Sequence, residues 1–215
     1  MGTEDYQEQV VAISQEMTRK GFLMGTGGNV SVRIGGQGAM AITPSNFDYL
    51  QMTCEDVCVL DWELNPLTGT RQPSIESGMH AAIYQARLDV NVIIHTHQVI
   101  ASAVAIMGRP IPALFDEQVR YLGRSVEIVP YGASGTSWLK SNIVRKLKNH
   151  ANAYILKNHG ALTLGPDPER AMFNVELLEK CTTAFLLAYY TDERVAKIPL
   201  PIREIIFSKL RKSQG

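Results

Sequence analysis

The chain has 215 residues, enough for one domain with a substantial apolar core. Its 21 basic side chains balance its 21 acidic ones, which argues against a nucleic-acid partner because such partners need a basic surface. No run of about eighteen apolar residues is present, and the N-terminus lacks the apolar core of a signal peptide, so neither membrane attachment nor export is predicted.

The three cysteines, Cys54, Cys58 and Cys181, are odd in number and show no CxxC spacing. A disulfide framework is therefore not expected, and reduced thiols in a cytoplasmic protein fit better. Cys54 and Cys58 have a spacing that could serve a metal, but no second pair follows them.

The first half of the chain predicts an amphipathic helix over residues 4–20, which four glycines in GFLMGTGGN then break. VSVRI and MAITP predict a two-stranded hairpin, and VCVLD predicts a third strand. The polar stretch ELNPLTGTRQPS is expected to be a loop, and SGMHAAIYQAR a helix.

The second half begins with a predicted strand, VNVIIHTH, and a predicted helix, QVIASAVAIM. A short helix at DEQVRYLG, a strand at VEIVPY and a helix over 134–149 follow. AYILKNHGALTLG predicts two strands joined by a tight turn. Asp167 is a good N-cap for a helix to about Tyr190, and a helical tail ends the chain. This order predicts a single α/β domain over residues 1–215, with an antiparallel or mixed sheet.

Two histidines, His95 and His97, end the apolar strand Val92–Ile94. Residues i and i+2 of a strand point to the same face, so both imidazoles project side by side and can converge on one divalent ion. The alternative is a pair of hydrogen-bonded histidines in a half-buried strand, but the spacing favours a metal site.

The other histidines carry weaker signals. His159, in KNHGAL, follows another apolar strand; taken alone it is a turn residue, but as a third ligand it would complete a catalytic metal site with an open position. His80 lies on a predicted helix and is expected to support the site or the core. His150 is expected at the surface.

Two further features could belong to such a site. Glu76, near a predicted helix start, is either a partner of the helix dipole or a metal ligand or general base. The loop GTGGNVS offers free backbone amides for an anion, with Asn29 and Ser31 as side-chain donors, although a plain helix-terminating turn is the alternative. It matches neither the Walker nor the dinucleotide-binding pattern. TPSN and Ser74 offer further donors.

The motifs GTGGNVSVR, ITPSN, PSIE followed by His80, HTH and KNHG occur in this order over residues 25–160. This ordered set resembles the class II aldolase/adducin-head superfamily, most closely its L-fuculose-1-phosphate aldolase branch. The resemblance implies a three-layer α/β/α fold with a central, largely antiparallel sheet flanked by helices. It also implies a homotetramer with active sites at subunit interfaces.

The resemblance further implies one divalent metal ion per subunit, usually Zn2+ and sometimes Mn2+ or Co2+. Its ligands would be His95, His97 and His159, with Glu76 as the acid/base that can also touch the resting metal. The implied phosphate pocket consists of Gly28, Asn29, Ser45, Asn46 and Ser74, with Ile75 giving at most a backbone group. A cation beside a ketone stabilises the enediolate left by carbon–carbon cleavage, and a carboxylate then moves a proton on and off carbon.

The chain departs from the branch on the aldehyde side. A tyrosine of the fuculose branch has no counterpart in ALFDEQVRYLG, where Asp116 and Glu117 stand instead, with Tyr121 further on. Glu117 or Asp116 is therefore a candidate for protonating the leaving aldehyde oxygen or a hydroxyl, and an exposed helix start is the alternative. The C-terminal tyrosine of fuculose aldolases also has no clear match. The substrate is thus expected to be L-fuculose 1-phosphate or a 5-deoxy or 5-substituted pentulose 1-phosphate, such as 5-deoxyribulose or 5-methylthioribulose 1-phosphate.

The leading prediction is an aldolase, a carbon–carbon lyase, that releases dihydroxyacetone phosphate and a short aldehyde. The alternative is a sugar-phosphate dehydratase, epimerase or decarboxylase with the same metal site. A non-catalytic domain like the adducin head is disfavoured because all three histidines are present, and a Schiff-base aldolase would have to use Lys157.

Overall fold

The computed structural model describes residues 2–191 and 195–215. Over these residues the chain forms seven α-helices and eight strands. Their bounds in chain order are α1 Thr3–Arg19, β1 Asn29–Ile34, β2 Ala39–Ile42, β3 Cys58–Asp61, β4 Pro66–Thr68, α2 Ser77–Ala86, β5 Val92–Thr96, α3 Val99–Met107, α4 Asp116–Tyr121, β6 Glu127–Val129, α5 Ser137–Lys146, β7 Ala153–Leu156, β8 Gly160–Gly165, α6 Pro168–Tyr190 and α7 Leu200–Ser213.

The eight strands form one sheet in the order β4-β3-β2-β1-β5-β8-β7-β6. β6 pairs with β7 in parallel, and the other pairings are antiparallel. The strand β5, which carries His95, therefore lies near the centre of the sheet, between β1 and β8. The predicted central, largely antiparallel sheet is confirmed.

Helices cover both faces of this sheet because its buried side chains alternate between two sides. In β5, Ile93 packs into a core cluster with residues of α2 and α5, whereas Val92 and Ile94 pack into a cluster with residues of α1. In β1, Val30 faces the α1 side and Ser31 faces α2. The predicted three-layer α/β/α arrangement is confirmed.

Two local predictions were wrong. The stretch ELNPLTGTRQPS contains the short strand β4 at the sheet edge, where the missing N–H of Pro66 costs little. Three exposed residues are too few to show the period-two pattern of a strand. The helix expected from residue 134 begins at Ser137, because the Thr136 side chain accepts a hydrogen bond from the Leu139 N–H and caps it there.

None of the described helices combines the length and the apolar character that crossing a lipid bilayer requires. Cys54, Cys58 and Cys181 are free thiols, as the sequence predicted. Burial raises the pKa of Cys58 to about 11 and that of Cys181 to about 12, so both are protonated structural residues.

Candidate active site

Three histidines meet where β5 ends. His95 lies within β5, His97 is the first residue after β5, and His159 occupies the turn between β7 and β8. The Nε2 atom of His95 lies 3.1 Å from Nε2 of His97 and 3.2 Å from Nε2 of His159. One candidate ligand atom from each ring lies within 4.8 Å of the others, so the group could hold a metal ion.

The arrangement fits a tetrahedral ion. Nitrogen ligands about 2.0–2.1 Å from a tetrahedral metal stand about 3.3 Å from one another, close to the two nitrogen–nitrogen distances found here. The Nδ1 atom of His95 lies 2.8 Å from the Ala161 carbonyl oxygen, which can only accept, so Nδ1 carries the proton. The Nε2 atom of the neutral ring then presents its lone pair to the other two rings.

Burial also keeps the three rings neutral. It lowers the pKa of His95 and of His97, and it lowers the pKa of His159 to about 4. Neutral imidazole is the form that binds metals, so the three histidines are in the metal-binding protonation state at neutral pH.

Two glycines let the neighbouring strands come close to the end of β5. A Cβ on Gly160 would lie 2.4 Å from the Thr96 carbonyl oxygen and 2.7 Å from Cδ2 of His97. A Cβ on Gly28 would lie 2.5 Å from the His95 carbonyl oxygen, and Gly28 also has a φ of +82°. Only glycine fits at either place without displacing the backbone that carries the histidines.

Glu76 points into the histidine group instead of capping its own helix. It is the N-cap residue of α2, but its side chain makes no capping hydrogen bond. One carboxylate oxygen, Oε2, accepts a 2.8 Å hydrogen bond from Asn29 Nδ2 and lies 3.2 Å from His95 Nε2. The other, Oε1, lies 3.6 Å from His159 Nε2. The side chain of Glu76 is thus directed at the histidines and not at the N–H groups of α2, so the alternative of a simple partner of the helix dipole does not fit.

The environment of Glu76 keeps the carboxylate ionised although the residue is only 5% exposed. Burial raises the pKa of Glu76. The hydrogen bond from Asn29, together with the charge that His95 and His159 carry when they are protonated at low pH, lowers it, and the net pKa lies below its usual value. Glu76 is therefore a proton acceptor in the resting protein, at hydrogen-bonding distance from the histidine group.

A cavity of about 220 Å³ opens next to this cluster. Its walls include Glu76, His97 and His159. They also include all five residues predicted to bind phosphate, namely Gly28, Asn29, Ser45, Asn46 and Ser74. The motifs TPSN and PSIE run side by side, since the Ser45 N–H donates to the Gln72 carbonyl and the Ser74 N–H donates to the Thr43 carbonyl. One cavity thus joins the histidines to a polar, glycine-rich wall.

Asn29 has a contact that the sequence did not predict. It lies directly opposite His95 across the β1–β5 pairing, and its amide nitrogen is used on Glu76. Its buried Oδ1 atom has no hydrogen-bond partner among the described residues. Asn29 therefore links the carboxylate to the wall predicted to bind phosphate.

Two cavity residues were missed. Ser134, in the turn before α5, places its hydroxyl 3.2 Å from His159 Nε2. Tyr49 donates a 2.6 Å hydrogen bond to the Gly28 carbonyl and supports the glycine loop, and burial raises its pKa to about 12. Neither residue lies in a motif, and only tertiary contacts bring them to the site.

Asp116, Glu117 and Lys157 do not line this cavity. Asp116 and Glu117 form the first turn of α4, and Glu117 is ion-paired with Lys180 of α6. Lys157 is exposed, with its side chain beside Gly108 at the end of α3.

The remaining two histidines differ from each other. His80 is fully buried behind Glu76, with Nδ1 2.6 Å from the Ser31 hydroxyl, and burial lowers its pKa to about 3. His150, expected at the surface, is partly buried and its carbonyl accepts a hydrogen bond from Gln214 Nε2 of the C-terminal tail.

The chain belongs to the class II aldolase and adducin N-terminal domain family, whose sequence pattern matches residues 8–186. This membership confirms the resemblance found in the motifs, and the named aldolases among the relatives confirm the prediction of a lyase of the class II aldolase type.

Three relatives illustrate the match. The chain is 32% identical over 209 residues to a 5-deoxy-D-ribulose 1-phosphate aldolase of Bacillus thuringiensis, which covers 97% of this chain and 95% of that protein. It is 34% identical over 178 residues to an L-fuculose phosphate aldolase of Escherichia coli K12, covering 83% and 81%. A solved structure of L-fuculose 1-phosphate aldolase superposes with a TM-score of 0.92 at 30% identity, covering 98% of each chain.

Proposed function

We propose that the protein cleaves a ketose 1-phosphate to dihydroxyacetone phosphate and a short aldehyde, using one divalent ion held by His95, His97 and His159. One observation carries the proposal: a cluster of three neutral imidazoles and an ionised carboxylate adjoins a cavity with a wall of glycine, serine and asparagine. Zn2+ is the proposed ion because it favours a tetrahedral site with nitrogen ligands, and Mn2+ or Co2+ are alternatives.

The substrate would lie along this cavity. The backbone of Gly28 and the side chains of Ser45, Asn46 and Ser74 would hold its phosphate, and Asn29 would contribute the second N–H of its amide nitrogen, whose other N–H is donated to Glu76. Phosphate binding here would position the distant reacting carbons, which is how remote binding energy contributes to rate.

The reaction breaks the bond between the third and fourth carbons of the sugar. The hydroxyl on the fourth carbon loses its proton and becomes the aldehyde, and the electron pair stays on the third carbon. A divalent ion at the three histidines would stabilise the negative charge that develops on the neighbouring oxygens. Glu76 is ionised at rest, so it would first take up one proton from solvent water and then deliver it to the third carbon, and Asn29 would hold its carboxylate in place.

We further propose a cytoplasmic homotetramer. Large apolar side chains of α3 and α6, namely Val99, Ile106 and Leu187, are exposed and are candidates for burial between subunits. In this assembly Glu117 or Asp116 would act in the cavity of a neighbouring subunit. There it would accept the proton of the hydroxyl on the fourth carbon during cleavage, and it would protonate the aldehyde oxygen in the reverse, condensation direction.

The substrate assay tests the function as a whole. Release of dihydroxyacetone phosphate would be measured from L-fuculose, ribulose, 5-deoxyribulose and 5-methylthioribulose 1-phosphates, with and without Zn2+, Mn2+ or Co2+. The 5-deoxypentulose is expected to be the best substrate, since the 5-deoxyribulose 1-phosphate aldolase is 32% identical over 97% of this chain and the chain has no clear match to the C-terminal tyrosine of fuculose aldolases. If no ketose 1-phosphate releases the product, the aldolase proposal is wrong; a loss of 18 mass units from the substrate would indicate a dehydratase.

A mixing experiment tests the proposed role of Glu117. Co-expressed Glu76→Gln and Glu117→Gln chains should recover activity if the two residues serve one cavity from different subunits, because some interfaces then hold both native carboxylates. Glu176→Gln, a surface change on α6, is the control partner for each. Mixtures no more active than the single variants would show that Glu117 does not serve the cavity of a neighbouring subunit.

A further inference from the structure

The turn from β5 into α3 begins immediately after His97. Gln98 is the N-cap residue of α3, but its side chain makes no capping hydrogen bond to its own helix. The first backbone N–H groups of a helix have no partner within it and need one from elsewhere. Their partner therefore bears on how the residues around His97 are held.

Glu179 of α6 supplies this cap from another part of the chain. Its Oε1 accepts a hydrogen bond from the Ile100 N–H at 3.3 Å, and its Oε2 accepts one from the Ala101 N–H at 3.3 Å. These are the N2 and N3 positions of α3, where a capping side chain normally acts and where a negative charge is favoured.

The same carboxylate also holds the residues on both sides of His97. Gln98 Nε2 donates to Glu179 Oε2 at 2.9 Å, and Gln98 Oε1 accepts a 2.6 Å hydrogen bond from the Thr96 hydroxyl. Thr96 and Gln98 are 0% and 1% exposed, so these bonds do not compete with water. His95 and His97 point toward the histidine group, whereas Gln98, with the Thr96 hydroxyl bound to it, points toward α6.

His97 depends on its backbone more than His95 does. The ring of His95 is fixed through Nδ1 by the Ala161 carbonyl. Among the hydrogen bonds of the described residues, His97 makes none through Nδ1 and only the Nε2 contact to His95. The direction of the His97 ring is therefore set chiefly by residues 96–98, and these are tied to Glu179.

We propose that Glu179 is a positioning residue of the metal centre: it caps α3 and, through Gln98 and Thr96, fixes the backbone that aims His97 at His95 and His159. This proposal rests on the proposed metal site. Glu179→Gln keeps the size of the side chain but replaces one acceptor oxygen with an NH2 group. That NH2 group would face an N–H donor of α3 or of Gln98, so at least one of the present hydrogen bonds would be lost. The His97 ring would then lose its fixed direction.

The test is metal affinity without substrate. Zn2+ dissociation constants would be measured by chelator competition for the full-length wild type, Glu179→Gln and Glu176→Gln. Glu176 lies on the same helix and pairs at the surface with Lys20. Glu179→Gln should bind Zn2+ about tenfold more weakly, the scale of losing a contact that orients a ligand, and Glu176→Gln should match the wild type. The visible spectrum of the Co2+-loaded protein should change only in Glu179→Gln.

Urea unfolding of the metal-free proteins separates positioning from stability. Gln98→Ala, which leaves both bonds from Glu179 to α3 intact, should also weaken Zn2+ binding while changing the unfolding midpoint less than Glu179→Gln does. If Glu179→Gln does not fold, the Zn2+ affinity of Gln98→Ala tests the proposal instead. Wild-type Zn2+ affinity in both variants, or in Gln98→Ala alone if only that one folds, would overturn the proposal. A wild type that binds no stoichiometric Zn2+ would instead overturn the metal site itself.

Discussion

The two ends of the cavity differ in how much of their geometry the folded chain fixes. At the histidine end, His95 is completely buried, its ring is held by a backbone carbonyl, and paired strands flank it. At the wall proposed to bind phosphate, Ser45 is half-buried and Asn46 is exposed with a φ of +54°. The comparison shows that the sheet holds the histidine group, whereas loops form the wall proposed to bind phosphate.

The largest effect is expected from Glu76→Gln at the histidine end. Removing the proposed proton carrier should lower kcat by about 10²- to 10⁴-fold, while Zn2+ remains bound by the three histidines. Product release and Zn2+ content would be measured on the same sample, with Glu176→Gln as the control. A Glu76→Gln protein with wild-type kcat would assign the proton transfer to another residue.

Gly160→Ala tests whether the close approach of β8 to β5 is needed at that end. The added methyl group would collide with the Thr96 carbonyl and the His97 ring, so we expect a loss of about 1–3 kcal/mol in unfolding free energy and weaker Zn2+ binding. Gly78→Ala in α2, where a methyl group has room, should be neutral or stabilising. Equal stability and affinity in both variants would mean that the strands can shift freely.

Asn29 lies between the two ends of the cavity, and its substitution should show whether it supports Glu76 or binds phosphate. Asn29→Ala removes the donor to a buried carboxylate and is expected to lower kcat by about tenfold or more. Ser45→Ala, at the opposite wall, should instead raise KM and weaken inhibition by inorganic phosphate, with kcat nearly unchanged. If Asn29→Ala raises only KM, the residue is a phosphate ligand and not a support for Glu76.

The smallest effect concerns His80, beneath the histidine end. The unfolded chain binds a proton at this residue near pH 6.5, but the folded chain does not until about pH 3. The contribution of the neutral, buried His80 to the unfolding free energy is therefore fully present above pH 6.5, and it is lost as the pH falls toward 3. His80→Gln should reduce the slope of unfolding free energy against pH in the metal-free protein by up to about 1.4 kcal/mol per pH unit. An unchanged slope would show that His80 is protonated in the folded state.

The sequence predicted the features that repeat with strand or helix period. The H-x-H spacing predicted that His95 and His97 share a face, and the apolar runs predicted most strands and helices. The short strand β4 was missed because it is exposed and has three residues. The ordered motifs, and not any periodicity, indicated the family.

Long-range pairings could not be predicted from local pattern. His159 taken alone was a turn residue, and it joins the site because β8 pairs with β5. Asn29 was predicted to bind phosphate, which stays a prediction; its contact with Glu76 could not be predicted, because it depends on the β1–β5 register that places Asn29 opposite His95. Ser134 was missed because a loop with no spacing relationship to His159 brings it to the cavity.

The central claim is that an ion held by His95, His97 and His159 is required for cleavage of a ketose 1-phosphate. The most direct measurement is a titration of the chelator-treated protein with Zn2+, following release of dihydroxyacetone phosphate from 5-deoxyribulose 1-phosphate. We predict no activity without metal and a linear rise that ends at one ion per chain. Full activity that survives chelation, together with trapping of the substrate by borohydride, would contradict the account and indicate a lysine such as Lys157 instead.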